Sequence, residues 1–184
     1  MLIGLMPCVL MDIEILQKEV IMALQTNRSD RWEKWFGACA EARAAVLNVL
    51  RHRYVRESQH AMRYRQHAEK IHDLEFREAL ISIAAEEEKH ADSIGAKIKD
   101  LGEKLPDVIP IHVAKEQNSW FYLRTDLEEE ERCAEEWQHD LPALSGEFPE
   151  VTKLLQRIDS DCKRHWLRFR GMLAHSDPLS AGPA

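Results

Sequence analysis

Residues 80–101 read LISIAAEEEKHADSIGAKIKDL, and the fold turns on how Glu87 and His90 are read within them. Leu80, Ile83, Ala84, Ala91, Ile94, Ile98 and Leu101 recur at helical spacing, so they mark one inward face of a helix. Glu87 and His90 stand three residues apart and project from that same face. A carboxylate and an imidazole on an apolar stripe are costly to desolvate unless something there binds them. A divalent metal satisfies both, since each is a ligand once its proton is gone. Glu-x-x-His alone is a weak signal, because surface helices of acidic proteins often contain it. The flanking chain decides.

Upstream, residues 41–71 carry Leu47, Leu50, Tyr54, Glu57, Ala61, Tyr64, Ala68 and Ile71 at alternating steps of three and four, the seam of a packed bundle. Glu57 breaks that seam in mid-helix. Arg51, Arg53, Arg56, Arg63 and Arg65 read most simply as a solvated flank. His72-Asp73 is a joint short enough to make a helix over 74–101 the antiparallel neighbour, with Gly102 as its stop signal. Glu57 and Glu87 then stand at nearly the same height in the hairpin.

Downstream, residues 102–114 with Gly102, Pro106 and Pro110 show no sustained period and are long enough to cross a bundle. A third helix is expected over about 115–139, with Leu123, Leu127, Glu130, Ala134, Trp137 and Leu141 on its seam. Pro142, Gly146 and Pro149 mark the next turn. A fourth helix spans about 148–174, with Val151, Leu154, Leu155, Ile158, His165, Phe169 and Met172 inward. The fold class is therefore all-α, a four-helix bundle with one long crossover. Residues 1–40 are expected to form an N-terminal helical extension, with an amphipathic helix over 12–25 and a second short piece whose Trp32, Trp35 and Phe36 pack against the bundle or a neighbouring subunit, a ligand-binding aromatic patch being the alternative. The bundle occupies 41–175, and 176–184 form a flexible tail.

The bulk properties agree. The chain has 184 residues, 45% hydrophobic and 31% charged, enough for one globular domain with a core plus an appendage. A net charge of −7 disfavours sequence-independent nucleic-acid binding. Cys8, Cys39, Cys133 and Cys162 have no paired spacing, which argues against a secreted disulfide scaffold. The apolar start lacks Lys and Arg and is interrupted at Asp12, so it neither spans a membrane nor reads as a signal peptide. A docking segment or a misassigned start codon is expected instead, and the protein is read as cytoplasmic.

Glu57 with Tyr64-x-x-His67-Ala68, Glu87-Glu88-Lys89-His90-Ala91-Asp92 and Asp126-Leu127-x-x-Glu130 resemble segments of the ferritin-like di-iron carboxylate superfamily, most nearly bacterioferritin-related proteins. The resemblance covers roughly residues 43–174. It implies that a Glu from each of two helices, with a Glu-x-x-His from each of the other two, holds two metals in the bundle core. Transferred residue by residue, the metal ligands are Glu57, Glu87 and His90, then Glu130 and His165. The sixth departs from the pattern, for Cys162 stands three before His165 where a Glu belongs. Asp161 is the foremost replacement; a Cys162 thiolate favouring a softer ion, or a degraded second half-site, are the alternatives. His60, three after Glu57, reads as a structural polar contact, an extra ligand, a base behind the ligands or a plug. Tyr64 and His67 are expected to orient ligands.

The resemblance further implies two Fe ions, with Zn or Mn as other possibilities. No haem is expected, because Glu88 occupies the position of the methionine that ligates it in bacterioferritins. The expected activity is oxidation of Fe(II) with O2 or peroxide by a ferroxidase-type oxidoreductase, with iron storage where a cage forms. The competing expectations are a di-iron oxidase or hydroxylase acting on an organic substrate, and a non-catalytic bundle with a decayed site. A homo-oligomer, at least a dimer, is the expected state.

Overall fold

The structure is a computed structural model that describes residues 40–113, 118–144 and 148–176. The expected helix over 12–25, the aromatic cluster at 32–36 and the tail from 177 onward lie outside the described residues. The described chain is four helices and the connections between them: α1 over residues 40–68, α2 (Leu74–Asp100), α3 (Ser119–Ala143) and α4 (Pro149–Ala174).

Local chemistry sets the ends. The Asp73 carboxylate accepts the Phe76 N–H at 3.0 Å and caps α2. At the other end Gly102 adopts φ +78°, and its N–H donates to the Lys99 carbonyl at 2.8 Å, while the Glu103 N–H reaches Ile98 at 3.1 Å. That left-handed turn satisfies carbonyls the helix would otherwise leave open. The Asn118 side chain accepts the Phe121 N–H at 2.9 Å and starts α3. Pro149 opens α4, where a missing N–H costs nothing. One boundary differs from expectation: α3 continues through Pro142 to Ala143. A proline in a final turn removes one hydrogen bond and leaves no helix beyond it to misdirect.

Paired residues fix the topology. Between α1 and α3, Arg53 meets Asp140 at 2.8 Å, Tyr64 meets Glu130 at 2.7 Å and His67 meets Asp126 at 2.8 Å, so these helices run antiparallel. Between α2 and α4, His90 meets Asp161 at 3.0 Å and Arg168 reaches the Ala79 carbonyl at 3.4 Å, again antiparallel. The connection after α2 travels along α1: Arg51 holds Glu103 at 2.8 Å, Gln59 holds the Ile109 carbonyl at 3.3 Å and Gln66 holds that of Ile111 at 3.2 Å. It is the long crossover that the sequence called for. Gly95 is where α1 and this crossover come close to α2, since a Cβ there would meet the Tyr54 ring at 3.2 Å and Leu105 at 3.3 Å.

The core is split. One apolar cluster gathers Val46, Leu50, Ile94, Ile98, Trp137, Leu155 and Ile158; the other gathers Ile71, Leu80, Ile83, Tyr122, Leu123 and Phe169. Between them in sequence, on all four helices, lie the buried ionisable residues Glu57, His60, Glu87, His90, Glu130 and His165. A polar layer closed at both ends by hydrocarbon is shielded from bulk water, which strengthens every charge interaction inside it.

The basic flank of α1 needs correction. Arg51 and Arg65 are exposed, but Arg53 is fully buried. Its guanidinium lies 3.8 Å from the Trp137 ring centroid, pairs with Asp140 at 2.7 Å and reaches Glu136 at 3.4 Å. Arg56 and Arg63 are partly buried and pair with Glu129. A planar cation can stack on an aromatic ring while its edge meets carboxylates, and this permits its burial.

Candidate metal centre

Glu87 is the centre of the polar layer. It is fully buried, and each of its carboxylate oxygens faces an imidazole. His90 Nδ1 stands 3.0 Å from Oε2, and His165 Nδ1 stands 3.0 Å from Oε1. Glu57 lies beyond His90, 3.5 Å from its Nδ1; Glu130 lies beyond His165, 3.9 Å from its Nδ1. The arrangement is thus two half-sites, Glu57–His90 and Glu130–His165, sharing Glu87. Four helices are needed to build it: α1 gives Glu57, α2 gives Glu87 and His90, α3 gives Glu130 and α4 gives His165.

The outer nitrogens of both rings are held by carboxylates. His90 Nε2 meets Asp161 at 3.0 Å, and His165 Nε2 meets Glu86 at 3.1 Å. Such contacts fix ring orientation, so that Nδ1 points at the centre. Asp161, expected as the sixth ligand, therefore takes another place. It lies outside His90, also paired with Arg164, and belongs to none of the potential ligand groupings among the described residues. A residue four before His165 emerges on the α2-facing side of α4, while Cys162, three before it, is turned inward and buried. Glu86 was not singled out by sequence reasoning. Its signal was its place beside Glu87, at the edge of the apolar stripe that meets α4.

Electrostatics fit the geometry. Burial, reinforced by the charge of Glu87, pushes the Glu57 carboxyl well above its usual range. Burial and Glu87 do the same to Glu130, against the hydrogen bond from Tyr64. For Glu87 burial acts upward, but hydrogen bonds from His165, His90 and Glu57 outweigh it and hold the carboxyl well below the usual range. Burial disfavours a charged His90, yet the carboxylates of Glu57 and Glu87 beside its Nδ1 raise it to about 10. Protons thus occupy the gaps between ligands, the places a divalent cation would take over. Tyr64, its phenol kept protonated by burial and by Glu130, donates to Glu130 Oε1 at 2.7 Å. His67 and Asp126 pair at 2.8 Å in the next layer.

Several buried polar atoms here have no protein partner: both Glu57 oxygens lack a well-formed hydrogen bond, as do Glu130 Oε2 and both nitrogens of His60. Potential ligand atoms of Glu87, Glu130 and His165 lie within 4.8 Å of one another, as do those of Glu57, His60 and Glu87, and those of Glu57, Cys133 and Cys162. Orphaned buried carboxylate oxygens, together with imidazoles turned inward, are what a pair of divalent ions requires. The donors fit. The two thiols complete one wall: Arg53 donates to Cys133 Sγ at 3.3 Å, and a hydrogen bond with Cys162 lowers the Cys133 thiol against the effect of burial.

A cleft of about 360 Å³ between α3 and α4 reaches this layer, lined by Glu130, Glu131, Ala134, Glu135, Asp159, Cys162, Lys163 and Trp166. Its carboxylates are Glu130, Glu131, Glu135 and Asp159, the last paired with Lys163 at 2.6 Å, and Ala134, Cys162 and Trp166 form an apolar part of the same wall. No helix among the described residues is long and apolar enough to cross a membrane.

No family model matches the sequence, and no curated protein matches it. Solved structures do match the shape. A bacterioferritin from Desulfovibrio desulfuricans, with a diiron site known in different catalytic states, is 21% identical; the match covers 78% of this chain and 94% of that one, with a TM-score of 0.63. The bacterioferritin-related protein of Bacteroides fragilis, a dodecameric thioferritin, is 14% identical over 72% of this chain and 86% of that one, with a TM-score of 0.65. A ferritin-like, diiron-carboxylate protein from Bacillus anthracis str. Ames is 19% identical over 72% and 97%, with a TM-score of 0.62. At these identities the likeness is one of fold, and the fold of this chain is the ferritin-like four-helix bundle.

Proposed function

We propose that the polar layer is a two-metal centre that takes Fe2+ as its substrate and oxidises it with O2 or peroxide. The observation that carries this reading is the shared carboxylate: one buried Glu87 with an imidazole Nδ1 at 3.0 Å on each oxygen. Each Fe2+ gives one electron, so a bound pair reduces one peroxide, with two protons, to two waters. Glu87 bridges the pair, Glu57 and His90 hold one ion, and Glu130 and His165 hold the other. Carboxylates suit both the ferrous and the ferric state, while a single imidazole per ion keeps coordination positions open.

The surrounding residues do the rest. Tyr64 fixes Glu130 by its hydrogen bond, and Asp161 and Glu86 hold the two rings in place. Glu131 and Glu135 along the cleft attract a small cation toward Glu130. The homo-oligomer is part of the same reading, in line with the dodecamer formed by the Bacteroides fragilis protein.

Aerobic addition of Fe2+ to metal-free protein tests the proposal. The chain should oxidise many equivalents faster than buffer does, followed by ferric absorbance, and Glu87→Gln should abolish the excess rate. Oxidation no faster than buffer would reject a ferroxidase. Oxidation that stops at two equivalents per chain would point to an organic substrate instead.

A further inference from the structure

His60 is fully buried in the polar layer, and the five ligands above leave it without a task. Neither ring nitrogen has a hydrogen-bond partner. The ring's neighbour Tyr64, at a centroid distance of 5.7 Å, spends its hydroxyl on Glu130. Arg56 and Arg63 on the same helix are turned to Glu129. A structural polar contact is therefore not what holds His60 inside. A buried imidazole with both nitrogens unpaired is expensive, and native structures keep such groups where something else completes them.

The vacancy in its bonding faces the metal ligands. A His60 nitrogen and carboxylate oxygens of Glu57 and Glu87 lie within 4.8 Å of one another, and both Glu57 oxygens are themselves orphaned. Ligand atoms around one ion, each held at about 2.1 Å, stand roughly 3–4 Å apart. A small inward movement of the ring brings the three donors to that spacing.

We propose that His60 is a third imidazole ligand of this centre, so that the position between Glu57 and Glu87 carries two nitrogens and the position between Glu87 and Glu130 carries one. The inference rests on the two-metal reading and deepens it by making the positions unequal. The nitrogen-richer position fills first and holds its ion. The other, left with Glu87, Glu130 and His165 because Cys162 replaces a carboxylate, exchanges its ion through the cleft between α3 and α4 that Glu130 lines.

Anaerobic titration of the metal-free, full-length protein with Co2+ alone tests this. Two binding steps are expected, and X-ray absorption at one equivalent should count two imidazoles on the bound Co2+. In His60→Ala, with helicity checked by circular dichroism, the first step should weaken by about tenfold or more while the second stays in place. A single imidazole at one equivalent, or an unchanged first step in folded His60→Ala, overturns the proposal and leaves the two-metal reading intact. Absence of any bound Co2+ overturns both. Should the variant not fold, the imidazole count on the unaltered protein decides.

Discussion

Cys162 is the residue at which this chain departs most from a symmetric centre. Its buried side chain sits with Cys133 beside Glu57, at the position where the resemblance implies a carboxylate ligand. A thiol there is neutral, because the hydrogen bond with Cys133, and burial after it, push it well above its ordinary value. The centre therefore carries one negative charge fewer than six-ligand symmetry would give it. Cys162→Glu should restore that charge, tightening the weaker Co2+ step by roughly tenfold, worth about 1.4 kcal/mol. Without metal the same change should lower stability, since it adds a buried carboxylate beside Glu57 and Glu130. An unchanged Co2+ titration in folded Cys162→Glu would show that the position does not face the ions.

α1 shows which parts of the architecture could be seen in the sequence. Glu57 and Glu87 come to one height because a short joint forces an antiparallel hairpin, and the length and Pro content of 102–113 required a crossover. These follow from connectivity alone. The burial of Arg53 does not. A column running from Leu50 through Arg53, Glu57, His60, Tyr64 and His67 to Ile71 just past the end of α1 is buried, spaced by threes and fours, and Ala61 and Ala68 beside it are buried too. Leu50, Glu57, Tyr64 and Ile71 belong to the seam that periodicity picks out, but Arg53, His60 and His67 are polar and it passes over them. The spacing was present, but the chemical partners that make it tolerable came from α3: Trp137, Asp140, Glu129, Glu130 and Asp126. Asp161 stands at His90 Nε2, because one residue of helical rotation separates an inward position such as Cys162 from one behind a ring. Arg53→Met tests the column's structural half. It keeps most of the apolar stem but strands Asp140 and loses the stacking on Trp137. The unfolding midpoint in urea should fall by the equivalent of about 3 kcal/mol. A midpoint unchanged from the parent would return Arg53 to the solvated flank.

At the scale of the whole molecule, the polar layer makes the metal-free bundle sensitive to pH from both sides. His60 titrates at about 4 in the folded chain, mainly because burial opposes its charge, against about 6.5 in the unfolded chain. Between those values the unfolded chain binds the extra proton, so stability falls as pH drops from about 6.5 toward 4. The loss attributable to this one ring is at most about 3 kcal/mol. His90 acts in the opposite sense. Its folded value of about 10 means that its contribution is full below about 6.5 and is lost as pH rises through about 10. Glu57 and Glu130, raised by burial, also bind protons more readily when folded and so oppose His60 on the acid side. Comparison with His60→Leu separates them, because the carboxylates are common to both chains. In urea unfolding with a chelator present, the difference in stability between His60→Leu and the parent should grow in favour of the variant as pH falls from 6.5 to 4. It should be flat above pH 7. Equal slopes for the two proteins across that window would mean that His60 is reached by protons without unfolding, and that the layer between the two apolar clusters is not dry.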